Sequence, residues 1–128
     1  SDGRLKENIL NNVVGLDFIL NLKPVTYNYN FKAIDPKSQN NNIRYSGFIA
    51  QEVEQTAKKV NYDFSGVDVP KNENDFYSLR YAEFVVPIVK SIQEQQKTIE
   101  ALKLELELQK QKNEALEKRL KAIEEKLK

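Results

Sequence analysis

The chain has no cysteine, histidine, tryptophan or methionine among its 128 residues. Without cysteine there is no disulfide scaffold, no thiol nucleophile and no thiolate zinc site. Without histidine the Ser-His-Asp and Cys-His arrangements are unavailable, as are the usual transition-metal sites, so neither metal nor cofactor is expected. Without methionine the chain, which starts at a serine, is expected to be a processing product or a trimmed chain. Glycine is scarce, and the four glycines at 3, 15, 47 and 66 are too scattered for a phosphate-binding loop.

An excess of one charge sign is lacking as well. There are 20 basic and 19 acidic side chains, a net charge of +1, and a pI near 7.8. The two signs interleave, so no nucleic-acid or membrane-surface partner is expected. The longest apolar run, Phe84-Val85-Val86-Pro87-Ile88-Val89, is far shorter than the roughly 20 residues that span a bilayer.

What is present falls into two compositional halves that meet near residue 90. Residues 1–89 hold every Gly, Pro and Asp and all of the Tyr and Phe, whereas residues 90–128 are dominated by Glu, Lys, Gln, Leu and Ile. The pattern predicts a small α+β domain over 1–80, followed by a long helix over 81–128. In the first part, Val14-Gly15-Leu16-Asp17-Phe18-Ile19-Leu20-Asn21-Leu22 has helical apolar spacing and stops before Pro24. Val25-Thr26-Tyr27-Asn28-Tyr29-Asn30-Phe31 alternates strictly and predicts a strand, with residues 44–49 as its partner. Residues 51–59 predict a short helix, with Ala50, Val53, Glu54 and Ala57 at helical spacing. Residues 61–75, rich in Asn and Asp, predict a loop.

The tail carries the strongest periodicity. Val85, Ile92, Ile99, Leu106, Asn113, Leu120 and Leu127 recur every seven residues as heptad position a. Ile88, Gln95, Leu102, Gln109, Leu116 and Ile123 fill position d, which is the signature of a coiled coil. Pro87 falls early, where it either bends the helix or sits in its first turn. The flanking pairs Glu105 with Lys110, Lys112 with Glu117 and Arg119 with Glu124 are all opposite in sign across a parallel seam, which favours a parallel homo-oligomer. Asn113 and Gln109 put polar groups into that seam, as a register lock or as a local weakness. The mixture of Ile and Leu at both positions leaves the strand number open.

Few catalytic arrangements survive the missing residue types. One is a serine whose base is a neutral lysine, and Ser1 and Lys6 lie close in sequence. The bland alternative is a cap residue and a solvated lysine. On a continuous helix the two would lie about 140° apart, so they can meet only if the chain turns near Gly3. Asp2, four residues before Lys6, would hold the lysine charged if the two paired, the opposite of what a base requires.

Ser1-Asp2-Gly3-Arg4-Leu5-Lys6-Glu7-Asn8-Ile9 resembles the opening motif of the peptidase S74 family, the intramolecular chaperone of endosialidase and related phage tail fibres and spikes. Gly47-Phe48-Ile49-Ala50-Gln51-Glu52-Val53 resembles that family's second signature, and Leu22-Lys23-Pro24-Val25-Thr26-Tyr27 between them fits as well. Residues 77–96, leading into the helical tail, fit a third block. The sequence departs from the family pattern at Thr56-Ala57-Lys58-Lys59-Val60, which stands where a proline-containing stretch often follows the second signature.

The resemblance implies a C-terminal domain that drives homotrimeric assembly of a fibre or spike and then cuts the bond before the motif serine, a single-turnover serine endopeptidase acting on its own chain. By residue match Ser1 is the nucleophile and Lys6 the general base, supported by Asp2, Arg4, Asn8, Gly47, Gln51 and Glu52. The oligomerisation residues are then Ile92, Ile99, Leu102, Leu106, Asn113, Leu116, Leu120, Ile123 and Leu127. The implied partners are two further copies and the upstream part of the same polypeptide. The implied location is a virion fibre or spike precursor assembled in the host cytoplasm, or alternatively a cell-surface fibre. The rival reading is a non-catalytic coiled-coil module, or a tip domain retained on the fibre.

Overall fold

Phe18 has no solvent exposure at all, and the first part of the chain is organised around it. A computed structural model describes residues 1–128. Two units are distinguished, Ser1–Ser91 and Ile92–Lys128. In the first, Phe18, Val53, Ala57 and Phe84 are the buried hydrophobic residues, and aromatic rings ring them. Phe64 approaches Phe18 at 4.9 Å and Phe84 at 4.8 Å between centroids, while Tyr62 meets Phe18 edge-on at 5.1 Å. A core this small relies on the large area that each aromatic side chain buries, about 150–250 Å².

The expected helix at 14–22 is realised only as α1, Leu16–Ile19. The Asn21 side chain donates to the Asp17 carbonyl at 2.7 Å, taking an acceptor a longer helix would use. Pro24 further disfavours helical geometry at Lys23. The predicted strand is likewise shorter: β1 spans Val25–Tyr27 and pairs antiparallel with β2, Tyr45–Gly47, with Thr26 opposite Ser46. Beyond Tyr27 the Asn28 side chain replaces the ladder, donating to the Ile43 carbonyl and accepting from Arg44. The alternation persists in the side chains. Tyr27, Tyr29 and Phe31 pack in succession, and Tyr45 from β2 packs against both tyrosines.

α2 covers Ala50–Lys59, as its spacing predicts, and buries Val53 and Ala57. It runs unbroken through Thr56-Ala57-Lys58-Lys59 and ends in a Schellman motif. The Tyr62 N–H reaches the Ala57 carbonyl at 2.9 Å and the Asn61 N–H the Lys58 carbonyl at 3.2 Å. Asn61 has φ 53°, in the left-handed region where Asn is among the better-tolerated residues. The loop expected at 61–75 contains β3, Val67–Asp68, which pairs antiparallel with β4, Ser78–Leu79. Two-residue strands carry no readable periodicity, and this pair is held by side chains instead. The Arg80 guanidinium grips Asp68 at 2.8 and 3.0 Å, and the Arg80 N–H reaches the Gly66 carbonyl at 2.8 Å.

A 3₁₀ turn over Tyr81–Phe84 leads into α3, Val85–Lys126. Pro87 lies in the first turn of α3, where a missing N–H leaves no helical bond unmade, so no bend is needed to accommodate it. Its carbonyl accepts from the buried Ser91 hydroxyl at 2.8 Å. The second unit contains no strand, and helix persists to Lys126. No helix is long and apolar enough to cross a membrane.

Candidate functional site

Asp2 builds the local geometry at the start of the chain. Its Oδ1 accepts the Arg4 N–H at 2.9 Å, which makes it the N-cap of a 3₁₀ turn over Gly3–Leu5. The Leu5 N–H then bonds the Asp2 carbonyl and the Lys6 N–H the Gly3 carbonyl, both at 3.1 Å. Lys6 leaves the turn in an extended conformation, φ −111° and ψ 135°. That reversal brings Lys6 Nζ to donate to Ser1 Oγ at 2.9 Å. The two groups that sequence spacing alone sets apart on a helix are therefore in hydrogen-bond contact.

The chain turns at Gly3 as the contact requires, but glycine is not what permits it. Gly3 has no left-handed φ, and a Cβ there would meet open space. The turn rests on the Asp2 cap. Asp2 is also not paired with Lys6. The Arg4 guanidinium takes it in a bidentate grip, Nε to Oδ1 at 3.1 Å and an Nη to Oδ2 at 2.7 Å. The side-chain bonds from Arg4, then its backbone N–H, hold the Asp2 carboxyl below its ordinary value, and Asp2 in turn raises the Arg4 guanidinium. Arg4 thereby leaves Lys6 to Ser1. Both members of the pair are exposed in the single chain. Asn8, two residues beyond Lys6, stands at φ 52°, in the left-handed region, and redirects the chain just after the pair.

The second signature forms a separate cluster. Gly47 ends β2, and a Cβ on it would collide with the Tyr81 hydroxyl. That hydroxyl accepts the Phe48 N–H at 3.1 Å, and the Tyr81 and Phe48 rings stack at 6.1 Å. Phe48 stacks in turn on Phe84 at 5.2 Å. Gln51 is exposed and Glu52 half-buried in the first turn of α2, where the Glu52 carbonyl accepts the Thr56 hydroxyl. None of these residues hydrogen-bonds to Ser1 or Lys6. Tyr81 is the neighbour of this signature that sequence reasoning missed. A glycine at the end of a strand signals close approach of something, but nothing in the residue order names a partner 34 positions away.

The family model described as chaperone of endosialidase, peptidase S74, matches residues 1–62, just under half of the chain. Over residues 1–62 the chain is similar to the peptidase S74 family. The peptidase S74 segment includes the Ser1–Lys6 pair and the Gly47 to Val53 signature and ends at the Schellman cap of α2; Tyr81 and α3 lie outside it. The match to a chaperone of endosialidase supports a chaperone role in fibre assembly. No curated protein and no solved structure matches the chain.

The heptad positions lie along α3 in a single exposed array. Ile92, Ile99, Leu102, Leu106, Leu116, Leu120 and Ile123 are all exposed in the single chain, and Leu127 lies just past the helix end. Asn113 and Gln109 bond each other, Gln109 Nε2 donating to Asn113 Oδ1 at 3.1 Å.

Proposed function

We propose that this chain is the C-terminal intramolecular chaperone of a phage or phage-like tail fibre or spike. It holds three copies in register through the α3 seam and releases itself by one cut before Ser1. The catalytic half of this reading is carried by the 2.9 Å contact of Lys6 Nζ with Ser1 Oγ inside the peptidase S74 segment. The assembly half is supported by seven exposed Ile and Leu at a and d spacing on one continuous helix, a stripe that a lone chain leaves in water.

The chemistry uses only these side chains and water. Neutral Lys6 Nζ takes the Ser1 hydroxyl proton as Oγ attacks the carbonyl carbon of the residue before Ser1. Nucleophile and scissile amide belong to the same residue, so the attack closes a five-membered ring. Collapse breaks the C–N bond, the Ser1 nitrogen leaves with the proton from Lys6, and the upstream chain is held as an ester on Oγ. Water hydrolyses the ester, giving an upstream carboxylate and a free Ser1. A lysine ammonium cannot accept a proton, and removing water from an amine favours its neutral form. Both groups are exposed in the single chain, and in this reading assembly is what dries them. Chemistry then waits on correct association, and the cut makes the assembled state kinetically irreversible.

The test is expression of the chain with a stretch of its upstream fibre, comparing wild type, Ser1→Ala and Lys6→Ala by denaturing gel and intact mass. A 14.9 kDa fragment beginning at Ser1 is expected from wild type alone. Uncut wild type would instead support the non-catalytic coiled-coil module.

A further inference from the structure

The stretch between the Ser1–Lys6 pair and α1 is an apolar arm with nothing covering it. Residues 6–15 form no helix or strand, and Leu5, which ends the 3₁₀ turn before them, stands 85% exposed, with Ile9 and Leu10 at 77% and 70%. Three large aliphatic side chains on one short irregular segment are a poor surface for water. Elsewhere in the same unit a groove of about 660 Å³ is open to solvent, lined by Tyr27, Tyr29, Phe48, Ile49, Phe76 and Tyr81 among others. Phe76 on its rim is 68% exposed. That volume is in the range that encloses a drug-sized molecule, ample for two or three branched aliphatic side chains.

We propose that the arm, residues 5–10, docks its leucine and isoleucine side chains into the aromatic groove of a neighbouring copy. The inference rests on the oligomeric reading given above. The single chain leaves arm and groove both uncovered, so it does not satisfy one with the other. The area decides between the remaining occupants. Three such side chains present roughly 300 Å² of apolar surface. Counted on both faces this falls well below the ~1,200 Å² that a stable free-standing interface buries. A partner arriving from solution would not stay on so little. A segment already tethered close by would, because the tether supplies its effective concentration. In the oligomeric reading the α3 seam provides that tether to other copies of this chain, each of which carries the same arm. The arm begins inside the turn that joins Ser1 to Lys6, so docking it restrains the chain on which that pair is built.

The absence of native cysteine makes the proposal directly testable. Full chains carrying Ile9→Cys or Leu10→Cys on one tag are co-expressed with chains carrying Phe76→Cys or Ile49→Cys on another, then oxidised mildly. The reference pair is Ile9→Cys with Ile34→Cys, since Ile34 is exposed but lies outside the groove. At least one arm–groove pair is expected to form a disulfide between differently tagged chains ten-fold or more above the reference pair. Sedimentation of the same samples reads the oligomeric state. A trimer in which neither arm–groove pair exceeds the reference overturns the docking and leaves the trimer standing. A further chain carries both Ile9→Cys and Phe76→Cys, and a disulfide that forms only within that chain, with none between differently tagged chains, overturns it in favour of the chain's own arm. A monomer overturns both.

Discussion

The Tyr81 hydroxyl occupies the place in which a side chain at position 47 would stand, while it accepts the Phe48 N–H at 3.1 Å. One atom thus satisfies the backbone just after β2 and demands glycine at its end. Because Tyr81 opens the turn that leads into α3, the second signature is packed directly against the start of the long helix.

Replacing that glycine tests the contact. Gly47→Ala should destabilise the chain by about 1–3 kcal/mol, the usual range for overpacking. Tyr81→Phe alone should lose about 1 kcal/mol by leaving the Phe48 N–H unpaired. The double variant should be more stable than the sum of the two losses implies, because deleting the oxygen relieves the collision. Urea unfolding of the four chains measures the coupling; simple additivity would mean that the two residues do not meet.

Asn61 supplies a second test. Its φ of 53° is strained for alanine but not for glycine. Asn61→Ala should lose about 1 kcal/mol and Asn61→Gly much less, as read from thermal unfolding midpoints.

Alkaline pH should weaken the tyrosine cluster on β1. The Tyr27 hydroxyl is pushed up from 10.0 to about 12, first by the hydrogen bond it donates to Tyr29 at 3.3 Å, then by burial and the neighbouring tyrosines. A folded value above the unfolded one contributes stability that is complete below pH 10 and is lost as pH rises towards 12. Wild type should therefore lose stability over that window faster than Tyr27→Phe, followed by circular dichroism at a series of pH values.

Acid should act on the β3–β4 pair in the opposite sense. Arg80 holds the Asp68 carboxyl below its ordinary value of 3.8, chiefly through their hydrogen bonds. The contribution is present above that value and is lost as pH falls through the lower folded one. Asp68→Asn should remove this part of the acid sensitivity, and high salt should reduce it in wild type. Equal acid unfolding curves for the two chains would contradict the assignment.

Disrupting the seam tests whether assembly governs the cut. Ile99, Leu106 and Leu120 replaced together by charged residues should give a monomer by sedimentation, with the first unit still folded. In the presence of the upstream segment that variant should not cleave; efficient cleavage by a monomer would separate the chemistry from association.

α2 and the long helix α3 were legible because each repeats its apolar residues over several turns, and the pairing of β1 with β2 was legible from two short runs of β-formers on either side of a polar loop, while their register came from the structure. α1 and β1 came out shorter than their patterns because Asn21 and Asn28 use side-chain amides where backbone would otherwise pair. β3 and β4 were invisible, being two residues each in a stretch whose composition speaks for a loop.

Residue identity excluded what needs cysteine or histidine, and the spacing of Ile and Leu marked a heptad repeat along α3. Tertiary structure decided what those residues meet. A sequence separation of five does not say whether two side chains touch; the Asp2 cap and the Asp2–Arg4 pair do, by turning the chain and leaving Lys6 for Ser1. Nor does a glycine say what approaches it, since Tyr81 reaches Gly47 only through the packing of distant aromatic rings into one small core.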